Sequence, residues 1–333
     1  MEAISYERAS DVASAVRAAQ QHGTAFIGGG TNLLDLMKGG VARPVRLVDI
    51  THIRGLDTID PLPDGGLRIG ALVRNSDAAN HTYVRQRYPL LTQALLAGAS
   101  AQLRNMATVG GNLMQRTRCY YFYDPAFVQC NKREPGSGCA AIDGHTRMHA
   151  ILGASAQCIA VNPSDMSVAL AALDAVVRVS GPRGERTIAF GDFHRLPGDR
   201  PDLDTTLQPG ELITSVDLPP PMFSDHAHYL KVRDRASYAF ALVSVAAALQ
   251  LDGNTVKSVR IALGGVAHKP WRANVAEQML AGQTLSDANL QSAAAAALRG
   301  ARPQRDNAFK VQLAQRSIVR ALKQAAGQQG GVA

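Results

Sequence analysis

The sequence predicts an α+β protein of two domains, on three observations. The first 50 residues alternate short apolar strands with helical pieces around a glycine loop. Three consecutive prolines, Pro219 to Pro221, interrupt any helix or central strand. Beyond them come three strands and then three helices, so the two kinds of element are segregated rather than alternating. A length of 333 residues suits two such domains.

Taken in order, residues 3–6 read as a strand, and Ser10 caps a helix whose apolar positions are Val12, Ala15, Val16 and Ala19, stopped by Gly23. Ala25 to Ile27 is a strand that runs into GGGTNLLDLMK, Gly28 to Lys38, and Val45 to Ile50 is the next strand. Leu67 to Leu72 is strand-like. Leu90 to Leu103 carries Leu91, Ala94, Leu95 and Gly98 at helical spacing and leads into a second glycine loop, Arg104 to Asn112. Asn162-Pro163-Ser164-Asp165 starts a helix over Met166 to Asp174, followed by strands at Val176–Ser180 and Glu211–Leu218. After the prolines, strands are expected at His228–Arg235, Phe240–Leu251 and Val256–Gly264, with Asp252-Gly253-Asn254 turning between the last two. Helices near Arg272–Leu280, Asp287–Leu298 and Ala308–Ala325 complete the chain.

Composition excludes several classes. With 46% apolar and 19% charged residues the chain can build real cores and is not disordered throughout. Its longest apolar stretch, Tyr238 to Leu249, is 12 residues and is interrupted by Ser244, against about 20 needed for a membrane span. The opening Met1-Glu2-Ala3 has no basic start followed by an apolar stretch, so no signal peptide is expected. The net charge is +8, concentrated toward the end in Arg305, Lys310, Arg316, Arg320 and Lys323, which read as the solvated face of one helix. No zinc finger or RNP-type strand accompanies that charge, so nucleic acid is not an expected partner. There is no Ser-His-Asp order, G-x-S-x-G or H-E-x-x-H motif. His145 and His149 lie beside Gly144 and the cysteines, in what reads as a loop, and are taken as structural.

All four cysteines, Cys119, Cys130, Cys139 and Cys158, fall within 40 residues, spaced C-x10-C-x8-C-x18-C. Such clustering points to a shared task. Four thiolates suit a structural zinc, a 4Fe–4S cluster or two disulfides. The chain is large enough not to need disulfide staples, and neither the paired C-x2–4-C of zinc sites nor the close-set ferredoxin spacing is present, so spacing does not choose the metal. Tyr120, Tyr121, Phe122 and Tyr123 follow the first thiol and serve equally as core packing or as an aromatic wall around a cluster. Lys132 and Arg133, in the turn-rich NKREPGSG, could offset thiolate charge.

The first glycine loop follows a strand and precedes an apolar run, the context of a phosphate loop. A Rossmann site is the rival: Gly28 and Gly30 match, but Leu33 stands at the third glycine position, and Asp49 would be the ribose acid. No train of βαβ units follows, and the second loop, Thr108-Val109-Gly110-Gly111-Asn112, suits a flavin diphosphate gripped from two sides. Asp165, at a helix start, is either a carboxylate favoured by the helix dipole or an acceptor for cofactor hydroxyls. Lys231, Arg233 and Arg235 share one strand face, either solvated or turned toward a nucleotide.

Together these residues resemble the FAD-binding subunits of the molybdenum hydroxylase family, which includes xanthine dehydrogenase and carbon monoxide dehydrogenase. GGGTNLLDLMK, ATVGGN and PSDM carry the family likeness. QRTRCYYFYD, CNKREPGSGCAA, KVRDRASYAFALVSVAA and GGVAHKPWR resemble the type found in bacterial periplasmic aldehyde oxidases. The resemblance implies a two-subdomain FAD-binding domain of the vanillyl-oxidase (PCMH-like) type over 1–221, divided at 55/56 and carrying a 4Fe–4S insertion at about 115–160. A small α+β domain with a three-stranded sheet would occupy 225–330. It places the FAD diphosphate on Phe26, Ile27, Gly28, Gly29, Gly30, Thr31, Asn32, Leu33 and Leu34, with Thr108, Gly110, Gly111 and Asn112 as the second wall. Asp165 would hold the ribityl or ribose part, Lys231 would lie near the isoalloxazine, and Leu207 would pack on it. Cys119, Cys130, Cys139 and Cys158 become ligands of a 4Fe–4S cluster.

The implied activity is oxidation of aldehydes to carboxylic acids in a heterotrimer. One partner subunit carries the molybdenum cofactor and another the 2Fe–2S centres, and electrons pass to FAD here and on to a small-molecule acceptor. This explains a chain with no catalytic acid or base of its own. The resemblance also implies a periplasmic location, reached on a signal-bearing partner, with the cytoplasm as the alternative. A xanthine or aromatic acyl-CoA hydroxylase subunit, or an NAD-dependent dehydrogenase with a structural zinc, are the other readings.

Overall fold

The computed structural model describes residues 3–328; Met1, Glu2 and the expected domain limits at 1 and 330 lie outside them. Strands β1 (Ser5–Arg8), β2 (Thr24–Ile27) and β3 (Arg46–Asp49) form a parallel sheet in the order β1-β3-β2. Helices Val12–Ala18 and Leu33–Lys38 make the crossovers. The first helix is capped by Asp11 and not by Ser10: the Asp11 carboxylate accepts the Ser14 amide at 2.7 Å while the Ser14 hydroxyl takes the Asp11 amide at 3.1 Å, a reciprocal box that Ser10 cannot form.

A second, antiparallel sheet runs β4-β5-β8-β6-β7, from β4 (Ile59–Pro61), β5 (Leu67–Gly70), β6 (Val176–Gly181), β7 (Gly184–Ala189) and β8 (Leu212–Leu218). Asp217 on β8 ties its neighbours together, accepting Arg68 of β5 at 2.7 Å and Arg178 of β6 at 2.6 Å. The two edge strands β4 and β7 go beyond the sequence expectation, because they are short or almost wholly exposed and carry little apolar alternation.

The third sheet is four-stranded, not three-stranded. To β9 (Ala227–Val232), β10 (Val243–Asp252) and β11 (Thr255–Gly264) it adds the two-residue β12 (Trp271–Arg272), in the order β12-β11-β10-β9. Val243, Val245, Ala247 and Leu249 point to the side covered by helices Asn274–Leu280, Asp287–Ala297 and Phe309–Ala325. The opposite face offers small residues, Ala246, Ala248, Ala262 and Gly264, to the wholly buried helix Asp165–Ala172. A Cβ on Gly264 would stand 2.5 Å from Val168, so close helix–sheet contact depends on that glycine. One core therefore runs from the second sheet through this helix to the third.

Two expectations fail for packing reasons. The single helix expected over Leu90–Leu103 is two, Pro89–Ala97 and Ala101–Arg104, separated by Gly98 and by Ala99 in the left-handed region at φ 51°. The second restarts on a Ser100 cap, and the break frees the Ala97 carbonyl. Nor is the terminal basic run a solvated face throughout. Lys310 is fully buried because it lies one helical turn before Ala314 on the inward stripe that continues through Ile318 and Ala321.

Candidate functional site

The first glycine loop is an open cradle of amides. Among the described residues, none of the main-chain N–H groups of Gly28 to Asn32 is donated to a protein acceptor. The loop lies hard against the second one: a Cβ on Gly29 would fall 1.9 Å from the Met106 carbonyl oxygen, so only glycine permits the approach. Gly30 adopts φ 72°, the left-handed region that turns the chain into helix Leu33–Lys38. Phe26 and Ile27 belong to β2, and Leu33 and Leu34 open that helix.

The second loop differs from its expected role. Val109–Leu113 is a short helix capped by Thr108, and its amides are already spent: Val109 on the Val73 carbonyl (2.9 Å), Gly110 on Ala71 (2.8 Å), Gly111 on the Thr108 hydroxyl (3.1 Å) and Asn112 on the Thr108 carbonyl (2.8 Å). Gly110 and Gly111 therefore pack and turn the chain and offer no free amide. This wall contributes the Asn112 side chain, which accepts from Ser164 at 2.7 Å and Gln115 at 2.6 Å, and the Gly111 carbonyl, which receives Asn32 at 3.2 Å and ties the loops together.

Beside them opens a cleft of about 640 Å³, lined by Thr31, Asn32, Asn112, Asp165 and Lys231, among others. A volume of this order suits a large organic cofactor. Asp165 is buried with both oxygens engaged, Oδ1 by the Tyr229 hydroxyl and Oδ2 by the Lys231 ammonium, each at 2.7 Å. Lys231 also reaches the Ala97 carbonyl at 3.1 Å, the group freed by the helix break. Asp165 and Lys231 thus form a buried ion pair on the cleft wall, where the sequence suggests two independent contacts. β9 ends at Val232, yet the basic residues still converge: Arg233 donates to the same Ala97 carbonyl at 3.3 Å, and Arg235 lines the cleft with Lys231. Leu207 packs half-buried against the main core and not among the cleft-lining side chains. Asp49, the ribose acid of the Rossmann rival, is occupied by the Thr51 amide at 2.8 Å and hydroxyl at 2.6 Å. Sequence reasoning missed Arg118, which lines the cleft: its guanidinium donates to Asn32 Oδ1 at 2.7 Å and lies 5.1 Å from the Phe240 ring.

Cys119, Cys130, Cys139 and Cys158 line one small cavity, together with Tyr121, Phe122 and Lys132, and none is in a disulfide. Burial pushes the Cys119 thiol up to about 12 and the Cys158 thiol up to about 11, the latter in spite of nearby Lys132. Among the described residues, no three His, Cys, Asp or Glu side chains are grouped tightly enough to hold a single metal ion. Charge holds the insertion in place: buried Lys132 and half-buried Arg116 (2.6 Å) both donate to Asp204. Lys132 is thus committed to a carboxylate as well as facing the thiols. Arg133 is anchored on main-chain carbonyls, at 2.6 Å from Tyr121 and 2.8 Å from Phe122. A second cavity, of about 220 Å³, has Cys119 and His149 on its wall and shares Tyr120, Asp165 and Phe240 with the cleft, so the two sites are neighbours.

Residues 2–221 match the family model described as the FAD binding domain in molybdopterin dehydrogenase, and residues 228–325 match the CO dehydrogenase flavoprotein C-terminal domain. The chain is 53% identical to the aldehyde oxidoreductase FAD-binding subunit PaoB of Escherichia coli, over 98% of this chain and 100% of that one. It is 29% identical to the glyceraldehyde dehydrogenase medium chain of Sulfolobus acidocaldarius, over 85% and 83% of the two chains. A solved structure of carbon monoxide dehydrogenase from Hydrogenophaga pseudoflava matches with a TM-score of 0.77 at 25% identity, over 98% of each chain. Among the described residues, no helix is long and apolar enough to cross a membrane.

Proposed function

This chain belongs to the FAD-binding subunits of the molybdenum hydroxylases, an oxidoreductase family, and from that premise we propose that it is the flavin and iron–sulfur electron-transfer subunit of an aldehyde-oxidising member. The observation that carries the reading is the row of free amides at Gly28 to Asn32 beside a large cleft. Bound FAD supplies a centre that takes up electrons and passes them in pairs to a small-molecule acceptor. The residues of this chain bind and orient it. The free amides, with Thr31 and Asn32, meet the charge of a diphosphate. The Asp165–Lys231 pair gives the cleft wall a fixed dipole, and Arg118, stacked on Phe240, adds a positive charge to the lining. The substrate is reached only through partners, a molybdenum-cofactor subunit and a subunit with 2Fe–2S centres, as in a heterotrimer. Aldehydes are favoured by the identity to an aldehyde oxidoreductase subunit.

The four cysteines are assigned to a 4Fe–4S cluster on this chain. What supports a shared centre is that all four thiols line one cavity and none is in a disulfide. Buried thiols with raised pKa values ionise readily only against a cationic centre. Export to the periplasm on a signal-bearing partner accompanies this reading. It is checked by fractionating cells in which that partner's signal is deleted.

One preparation of the whole complex tests the assignment. It should release FAD, carry about four irons per complex beyond those of the 2Fe–2S centres, and show flavin bleaching on addition of an aldehyde. Zinc in place of the extra iron overturns the cluster. Bleaching by xanthine or an aromatic acyl-CoA thioester, but by no aldehyde, overturns the substrate class.

A further inference from the structure

His149 lies in the segment that follows helix Ala140–Asp143, is buried, and directs Nε2 at the Cys119 sulfur, 3.1 Å away. Among the described residues, its Nδ1 meets no protein partner. Its main chain is anchored from the far end of the sequence: the His149 carbonyl receives Asn307 Nδ2 at 3.1 Å and Lys310 Nζ at 2.9 Å, and Lys310 also donates to the Gly265 carbonyl. The buried lysine thus staples the third sheet and the terminal helix to the residue that faces the thiol.

We propose that His149 is a positioning residue for the iron–sulfur centre, donating Nε2–H to the Cys119 sulfur and thereby raising the centre's reduction potential. This rests on the four-cysteine cluster reading. A thiolate only accepts, so the nitrogen that faces it carries the proton, and Nδ1, with no acceptor before it, has no competing claim. An N–H···S bond draws charge from the ligand and favours the more negative, reduced state. Cys158 by contrast receives only a main-chain amide, from Ala160 at 3.4 Å. Cys119 is also the thiol on the wall of the cavity that adjoins the cleft, so the tuned ligand faces the flavin side.

The test is a potentiometric EPR titration of the whole complex carrying wild-type chain, His149→Ala or His149→Gln. His149→Ala should hold a reduced-to-oxidised ratio about tenfold lower at a given potential, a midpoint about 59 mV more negative for one electron. His149→Gln, which keeps an N–H within reach, should recover part of the shift. Pulsed EPR on wild-type complex labelled with 15N-histidine should show a weak nitrogen coupling to the reduced cluster, absent in His149→Gln. If the alanine variant fails to assemble its cluster, that coupling decides. Unchanged midpoints, or no histidine coupling in the wild type, overturn the role of His149. Absence of any 4Fe–4S signal in the wild-type complex overturns the cluster reading instead.

Discussion

The cofactor cleft and the thiol pocket are neighbours built by opposite means. The cleft is shaped by backbone: glycines allow two loops to touch, a helix breaks at Gly98 and Ala99, and main-chain amides are left free. The thiol pocket has almost no regular structure and is held by side chains, with Lys132 and Arg116 on Asp204, Arg133 on the turn carbonyls, and Asn131 accepting the Gly136 and Gly138 amides at 3.0 and 2.9 Å. A site for a long, flexible cofactor needs exposed polar backbone. A site for a compact metal centre needs a closed, desolvated shell. The contrast teaches that each can be disabled without the other.

The strongest challenge to that independence is Gly29→Ala. Its Cβ would meet the Met106 carbonyl at 1.9 Å, the loops must part, and FAD retention should fall at least tenfold while the extra iron stays; flavin absorbance and iron analysis of one sample read both. Cys158→Ser is the converse. About four irons should be lost with FAD kept, and loss of flavin together with iron would show the two regions to be one unit.

Asp204→Asn sharpens the claim that charge holds the insertion. Removing one partner of the largely buried Lys132–Asp204 pair should cost about 3 kcal/mol in chemical denaturation. Burial alone would raise the Asp204 carboxyl, but Lys132 and Arg116 outweigh it and hold it down to about 2. The stabilisation is therefore full above the ordinary carboxylate range, near 4, and is lost as pH falls through about 2. The wild-type advantage over the variant should shrink across that window; a constant difference would show that the pair contributes nothing through charge. The smallest expected effect is Thr108→Ala, which removes the cap on Gly111 and should cost about 1 kcal/mol with flavin content unchanged. A tenfold loss of FAD there would show the second loop to be a phosphate wall after all.

Much of this was legible in the residues. Periodicity places β2, β3 and β8 to within a residue or two, and Asn162-Pro163-Ser164-Asp165 announces the helix that runs from Asp165 to Ala172. Clustering of the cysteines announces a shared pocket, whereas the contact of His149 with Cys119 is not read, because no spacing rule signals it and the histidine is taken as structural. Other features left no trace because they depend on distant partners. Glycines at 28–30 and at 110–111 look alike in sequence, yet the Gly110 amide is spent on the Ala71 carbonyl, far away in the chain, and the Gly111 amide on the Thr108 hydroxyl, while those of the first loop stay free.

The sequence by itself determined most strands and helices, the boundary at Pro219 to Pro221 and the clustering of glycines and thiols, because apolar period, caps and turn residues act over a few residues. Only the tertiary structure decided which amides remain unspent, that Asp165 and Lys231 neutralise each other, and that Lys310 is buried behind His149. Each of these is a competition for hydrogen-bond partners, in the last two cases between residues 66 and 161 positions apart, and the outcome is settled only when packing brings the competitors together.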